Sequence, residues 1–266
     1  MSAEARVHSL ESFGAVDGPG IRFIIFLYGC NFRCQFCHNP DTWAITDLAK
    51  MQKFTAEELL KRAERFKPYW KDEGGITVSG GEPLLQIDFL LELFKLAKAQ
   101  GISTCIDTAG QPFTREEPFF RKFNELLRYT DLLLLDIKEI NPDRHKFITG
   151  LPNDNVLEMA RYLSDLDKPI WIRHVLVPGL SDFDEDLSEL RRFIDGLGNV
   201  QRVEVLPYHT MGVHKWRDLK LPYHLEGVEP PTAARVANAR KILRCERIGN
   251  KAKSSYAGSA GTIKSC

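Results

Sequence analysis

Between residue 21 and about residue 245, short apolar, β-rich runs alternate with helical patterns, and the alternation repeats six times. Strands are predicted at residues 21–28, 76–79, 103–108, 132–137, 170–177 and 203–208. Helices are predicted over 56–66 with Thr55 as N-cap, 89–100 ended by Gly101, 156–167, 185–195 and 233–244. Strands separated by helices pair in parallel, because each crossover helix returns the chain to the same end of the sheet. The class is therefore α/β with a parallel sheet covered by helices. Periodicity alone leaves open whether that sheet is doubly wound or curved into a barrel.

Polar residues gather where such folds place their chemistry, at the C-terminal ends of the strands. The ends carry Cys30, Cys34 and Cys37, then Ser79 to Glu82, Asp107 and Thr108, Asp136 and Lys138, and His209, with Arg173 inside its strand. Asp107 and Asp136 end neighbouring strands and are expected to face a common mouth, the bland alternative being that each caps a helix.

The cysteines narrow the chemistry. Three of the six, Cys30, Cys34 and Cys37, fall within eight residues in the spacing C-x3-C-x2-C. Neighbours this close suit metal ligation rather than disulfides. Three thiolates on one loop can hold three corners of a cubane cluster and leave the fourth iron open to a substrate. A structural zinc site would need a fourth ligand, for which His38 is next in line. The string Cys34-Gln35-Phe36-Cys37-His38 has the form of a c-type haem attachment site but leaves Cys30 unexplained. An electron carrier would use four cysteines and have no need of a pocket.

Charge and hydropathy exclude other classes. Lys plus Arg and Asp plus Glu each total 36, so no net field draws in nucleic acid or an acidic membrane. Residues 1–6 lack the pattern of a signal peptide, and no apolar run approaches the roughly 20 residues of a membrane helix. A cytoplasmic protein is expected, with a single catalytic domain over 1–246. Residues 247–266, rich in Gly, Ser, Ala and Lys, are expected to form a disordered tail.

The cysteine loop after the first strand resembles the radical S-adenosylmethionine superfamily. The longer strings DGPGIR at 17–22 and HNPDTW at 38–43 resemble its glycyl-radical-enzyme activases. SGGEP at 79–83, CIDTAG at 105–110, LLDIK at 134–138, WIRHVLVPG at 171–179 and LPYH at 206–209 extend the resemblance to about residue 245. It implies a partial (β/α)6 barrel with outer helices, a [4Fe-4S] cluster on Cys30, Cys34 and Cys37, and S-adenosylmethionine cleaved by one electron to a 5′-deoxyadenosyl radical.

Further roles follow from the resemblance alone. Tyr28, Phe36, Ser79, Gly80, Gly81, Glu82, Asp107, Asp136, Lys138, Arg173, Val175 and His209 would bind S-adenosylmethionine, with Lys138 also counted among the catalytic residues. Asp107, Thr108 and Asp136, with the carbonyl of Leu134, would hold a monovalent cation, Na+ or K+, and Asp17 and His38 would meet the substrate peptide. The partner would be a glycyl radical enzyme. The stretch 41–76 lacks the extra cysteines of activases that carry a ferredoxin-like insert, which favours pyruvate formate-lyase. The electron donor would be a reduced flavodoxin or ferredoxin, and a monomer would leave the open side of the barrel free. The competing activities are activation of another glycyl radical enzyme and radical chemistry on a small molecule.

Overall fold

The structure, a computed structural model, describes residues 3–43 and 51–245; the expected tail at 247–266 lies outside these residues. Among the described residues eight strands form one sheet: β1 (Ala5–Gly14), β2 (Arg22–Leu27), β3 (Gln52–Phe54), β4 (Gly75–Gly80), β5 (Ser103–Thr108), β6 (Leu132–Asp136), β7 (Ile170–Leu176) and β8 (Val200–Pro207). Their order is β3-β1-β2-β4-β5-β6-β7-β8. Six of them, β2 and β4 to β8, run parallel, and β1 joins antiparallel to both β2 and β3. The parallel strands lie in chain order with no reversal, so right-handed crossovers set their helices on one face and the sheet curls; because the order does not close on itself, it is a partial barrel with β3 and β8 as its edges.

Nine helices are described: α1 (Ala56–Glu64), α2 (Lys67–Trp70), α3 (Ile87–Ala99), α4 (Phe119–Leu127), α5 (Pro142–Thr149), α6 (Asp154–Asp165), α7 (Asp184–Asp195), α8 (Val213–Asp218) and α9 (Ala233–Leu243). The predicted cap on α1 is a full capping box, with the Glu58 amide donating to Thr55 Oγ1 and the Thr55 amide to Glu58 Oε2. None of the described helices is long and apolar enough to cross a membrane.

Strand alternation separates two environments. Phe23, Ile25 and Leu27 of β2, Ile76 and Val78 of β4, Leu133 and Leu135 of β6, and Ile170 and Ile172 of β7 point outward and pack with the helices in the main core. On the opposite face, Cys105, Leu132 and Leu134, with Trp171 against them, form a separate small apolar plug. Inward positions nearer the strand ends are polar: Ser79, Asp107, Asp136, Arg173 and Glu204. The plug therefore forms a floor, and the chemistry sits above it.

Candidate active site

The cysteine loop leaves β2 at Leu27 and is tied down along its length by main-chain hydrogen bonds. Gly29 donates to the Thr42 carbonyl (2.8 Å), Arg33 to Thr149 (2.8 Å) and Gln35 to Ile148 (3.0 Å). The last two fasten the loop to the end of α5. So held, Cys30, Cys34 and Cys37 line one cavity of about 280 Å3, together with Phe36, His38, Ser79, Gly80, Gly81, Asp107, Thr108, Asp136, Lys138, Val175 and Asp17. No three His, Cys, Asp or Glu side chains among the described residues converge on a point where one ion could be held. The thiols instead surround a space. Burial pushes the Cys30 thiol up to about 12, and pushes those of Cys34 and Cys37 up as well. A bound metal would have to supply the charge that makes them thiolates.

The Ser79-Gly80-Gly81-Glu82 turn packs directly on this loop. Gly81 donates to the Leu27 carbonyl (2.9 Å) and Glu82 to the Gly29 carbonyl (2.6 Å). A Cβ on Gly81 would stand 2.1 Å from the Gly29 oxygen, so only glycine permits this approach. The Glu82 carboxylate turns away from the cavity. It accepts from Thr108 Oγ1 (2.6 Å) and from the amides of Ala109 (2.9 Å) and Leu84 (3.1 Å), and burial still raises it to about 7. Glu82 thus braces the end of β5 against that of β4.

Opposite the thiols lies a charged wall. Asp107 Oδ2 accepts from Ser79 Oγ (2.8 Å) and stands 3.4 Å from Arg173 Nη1; Asp136 Oδ2 accepts from Lys138 Nζ (2.6 Å). The other oxygen of each carboxylate, Oδ1, is buried without a hydrogen-bond partner in the structure. Burial raises Asp107, Arg173 counters this and Asp136 adds to it. Burial would lower Lys138, but the carboxylate of Asp136 more than offsets that and holds the ammonium charged. Lys138 also lies 5.7 Å from the centre of the Phe36 ring. Two unpartnered buried acceptors across from three thiols suit a ligand with a metal-binding end and a donor-bearing end.

Of the remaining expected residues, Asp17 and His38 line the cavity, whereas Arg173, His209 and Tyr28 are not among its lining residues. Arg173 is fully engaged by the chain itself: Nε donates to Glu204 Oε2 (3.1 Å), Nη1 is 3.8 Å from Asp17 and Nη2 donates to the Val16 carbonyl. Burial raises Asp17 to about 6. The His38 ring lies against that of His209, 3.8 Å between centres, with His38 Nε2 3.1 Å from the His209 carbonyl. Burial lowers both histidines, and His209 Nδ1 is buried without a hydrogen-bond partner in the structure. Tyr28 is outside the cavity wall, its ring edge-on to His8. Contributors not anticipated from sequence are Phe26, Phe32, Asn39, Thr42, Trp43 and Ala109 in the wall, Glu204 on Arg173, and Arg22 and Thr77 beneath Asp17. The signal for two of them was parity, since Thr77 shares a strand face with Ser79, and Glu204 sits directly opposite Arg173 in the β7–β8 register.

Partial barrel and cysteine-lined cavity define a class of enzyme, and comparison with known proteins agrees. A profile of the Radical SAM superfamily matches residues 24–194. The chain is 58% identical over 240 residues to the pyruvate formate-lyase-activating enzyme of Streptococcus mutans, covering 90% of this chain and 91% of that protein. It is 53% identical over 239 residues to the enzyme of the same name from Listeria monocytogenes, covering 90% and 95%. A crystal structure of a domain of pyruvate-formate lyase-activating enzyme from Bacteroides vulgatus superposes with a TM-score of 0.52 at 26% identity, over 64% of this chain and 93% of that one. The chain belongs to the pyruvate formate-lyase-activating enzyme family of radical SAM proteins. A [4Fe-4S] cluster and S-adenosylmethionine are the cofactors of that superfamily. The residues present fit them: thiols enclosing a space rather than a point, and orphaned acid oxygens facing it.

Proposed function

We propose that this chain, as one catalytic unit ending near residue 246, installs a glycyl radical on pyruvate formate-lyase. The observation that carries the reading is the single cavity in which Cys30, Cys34 and Cys37 face the unpartnered oxygens of Asp107 and Asp136. When bound, the cluster supplies the electron that splits the sulfonium into methionine and a 5′-deoxyadenosyl radical, which takes the glycine Cα hydrogen.

The chain's own residues bind, orient and exclude water. Cys30, Cys34 and Cys37 hold the cluster and leave one corner free. The Ser79–Gly81 main chain, close to Cys30, receives the methionyl amino group, and Glu82 keeps that turn rigid. Asp136 and Lys138 form a buried ion pair on the cofactor, with Phe36 and Val175 as apolar wall, Tyr28 supporting the loop from behind and His209 closing the rim. Arg173, whose planar fork suits two parallel bonds to a carboxylate, would hold the carboxylate of the cofactor. Asp107, Thr108 and Asp136, with the Leu134 carbonyl, form a seat for Na+ or K+, a reading supported by the two orphaned acid oxygens. Asp17 and His38, both in the cavity wall, meet the glycine-bearing segment. Reduced flavodoxin or ferredoxin delivers the electron at the outer face of the cysteine loop, where Phe147 is 67% exposed, and the protein works as a cytoplasmic monomer.

The test is electron paramagnetic resonance on reconstituted, reduced protein mixed with S-adenosylmethionine and pyruvate formate-lyase. A glycyl doublet that requires all three components is expected. Formation of 5′-deoxyadenosine that depends on a small metabolite and ignores pyruvate formate-lyase would overturn the reading.

A further inference from the structure

Beneath Asp17 lie two fully buried side chains that have no part in the chemistry above. Arg22, at the start of β2, is 0% exposed, as is Thr77 on β4. The hydrogen bonds of Arg22 go to uncharged oxygens: Nε to Thr77 Oγ1 (2.6 Å), Nη1 to the Pro19 carbonyl (3.2 Å), and Nη2 to the carbonyls of Ile76 (2.8 Å) and Ser103 (3.2 Å). Thr77 Oγ1 in turn donates to the Asp17 carbonyl (2.7 Å). The direction of this relay is forced. A guanidinium can only donate and a carbonyl can only accept, so the single hydroxyl hydrogen must point at Asp17.

The same stretch is seated a second time. Gly20 has φ +69°, and a Cβ there would lie 2.6 Å from the Gly74 amide nitrogen, so the turn rests on the start of β4 with no room for a side chain. From above, Arg173 bonds the Val16 carbonyl and faces the Asp17 carboxylate. Residues 14–20 therefore cross from β2 to β7 as a strap, held below by Arg22 and Thr77 and above by Arg173. An apolar pair could seal a barrel floor without the cost of burying a guanidinium, so the arrangement is informative where main-chain geometry matters.

We propose that Arg22 and Thr77 are positioning residues that set the height of Asp17 at the cavity and thereby govern affinity for the partner's glycine-bearing segment, without touching substrate. The inference rests on the reading that Asp17 meets that segment. Thr77→Val keeps the side-chain shape and removes the relay. In the reconstituted holoenzyme it should raise the KM for pyruvate formate-lyase about tenfold, the size of one lost hydrogen bond. S-adenosylmethionine cleavage without partner should stay within about twofold of the parent, since the three cysteines and the Asp136–Lys138 pair are left as they are. Thr77→Ser, which keeps the hydroxyl, should restore the KM. An unchanged KM in Thr77→Val, or partner-free cleavage that falls in step with activation, overturns the proposal. Should Thr77→Val fail to take up iron, Arg22→Lys, which loses the Nε bond, is held to the same criteria. Asp17→Asn separates the two levels: if it leaves the partner KM unchanged, the reading of Asp17 fails and takes the inference with it; if it raises the KM while the relay variants do not, only the inference fails.

Discussion

Glu139 shows how far a single buried acid can shape the molecule's behaviour. It is 1% exposed, takes the amides of Ile140 (2.6 Å) and Asn141 (3.0 Å) on Oε1, and leaves Oε2 buried without a hydrogen-bond partner in the structure. Burial raises its carboxyl from 4.5 to about 7. The folded chain thus keeps a proton that the unfolded chain gives up, so this stability is complete below the unfolded value of 4.5, declines as pH rises, and is gone above about 7. The loss is of order 3 kcal/mol across that window. Glu139→Gln, which mimics the neutral acid, should flatten the fall in urea midpoint between about pH 5 and pH 7.5; a variant with the parent's slope would contradict the assignment. The polar residues of the site differ in how openly the sequence displayed them. Cysteine spacing and strand-end acids are legible because their positions are local, whereas Arg22 is bound by Pro19, Glu73, Ile76 and Ser103, a set that only the folded sheet brings together.

At the scale of elements, the turn of β4 onto the cysteine loop is the junction with least tolerance. Gly81→Ala places a Cβ against the Gly29 oxygen, and the clash is with main chain that cannot swing aside. The expected result is a protein that folds, since the core between sheet and helices is untouched, but takes up less than half the iron of the parent when both are reconstituted side by side; full iron uptake would show that the two segments move independently. Six strands were legible because each pairs an apolar outward face with its own crossover helix. β1 and β3 were not. The register of β1 slips between Val7 and Ser9 and again between Glu11 and Gly14, which breaks its alternation, and β3 is three residues long. The missed helix α5 had its signal, Asn141 capping the amides of Asp143 and Arg144 ahead of Pro142. α8 spans only six residues and rests on tertiary contacts, its Trp216 indole donating to the Cys37 carbonyl (2.9 Å).

The whole molecule is an open barrel whose gap is spanned at two levels, by the strap of residues 14–20 below and by the contact of His38 with His209 above. Sequence periodicity left the choice between barrel and doubly wound sheet open, because both present the same order of strands and helices; the curvature became legible only through the resemblance. The central claim is that three thiols in this cavity leave one iron free for S-adenosylmethionine. The most direct measurement is electron-nuclear double resonance on the reduced cluster with S-adenosylmethionine labelled at its amino nitrogen and carboxylate. Hyperfine couplings of directly bonded atoms are predicted from both labels. Their absence, with a cluster spectrum that does not change when the nucleotide is added, would contradict the account.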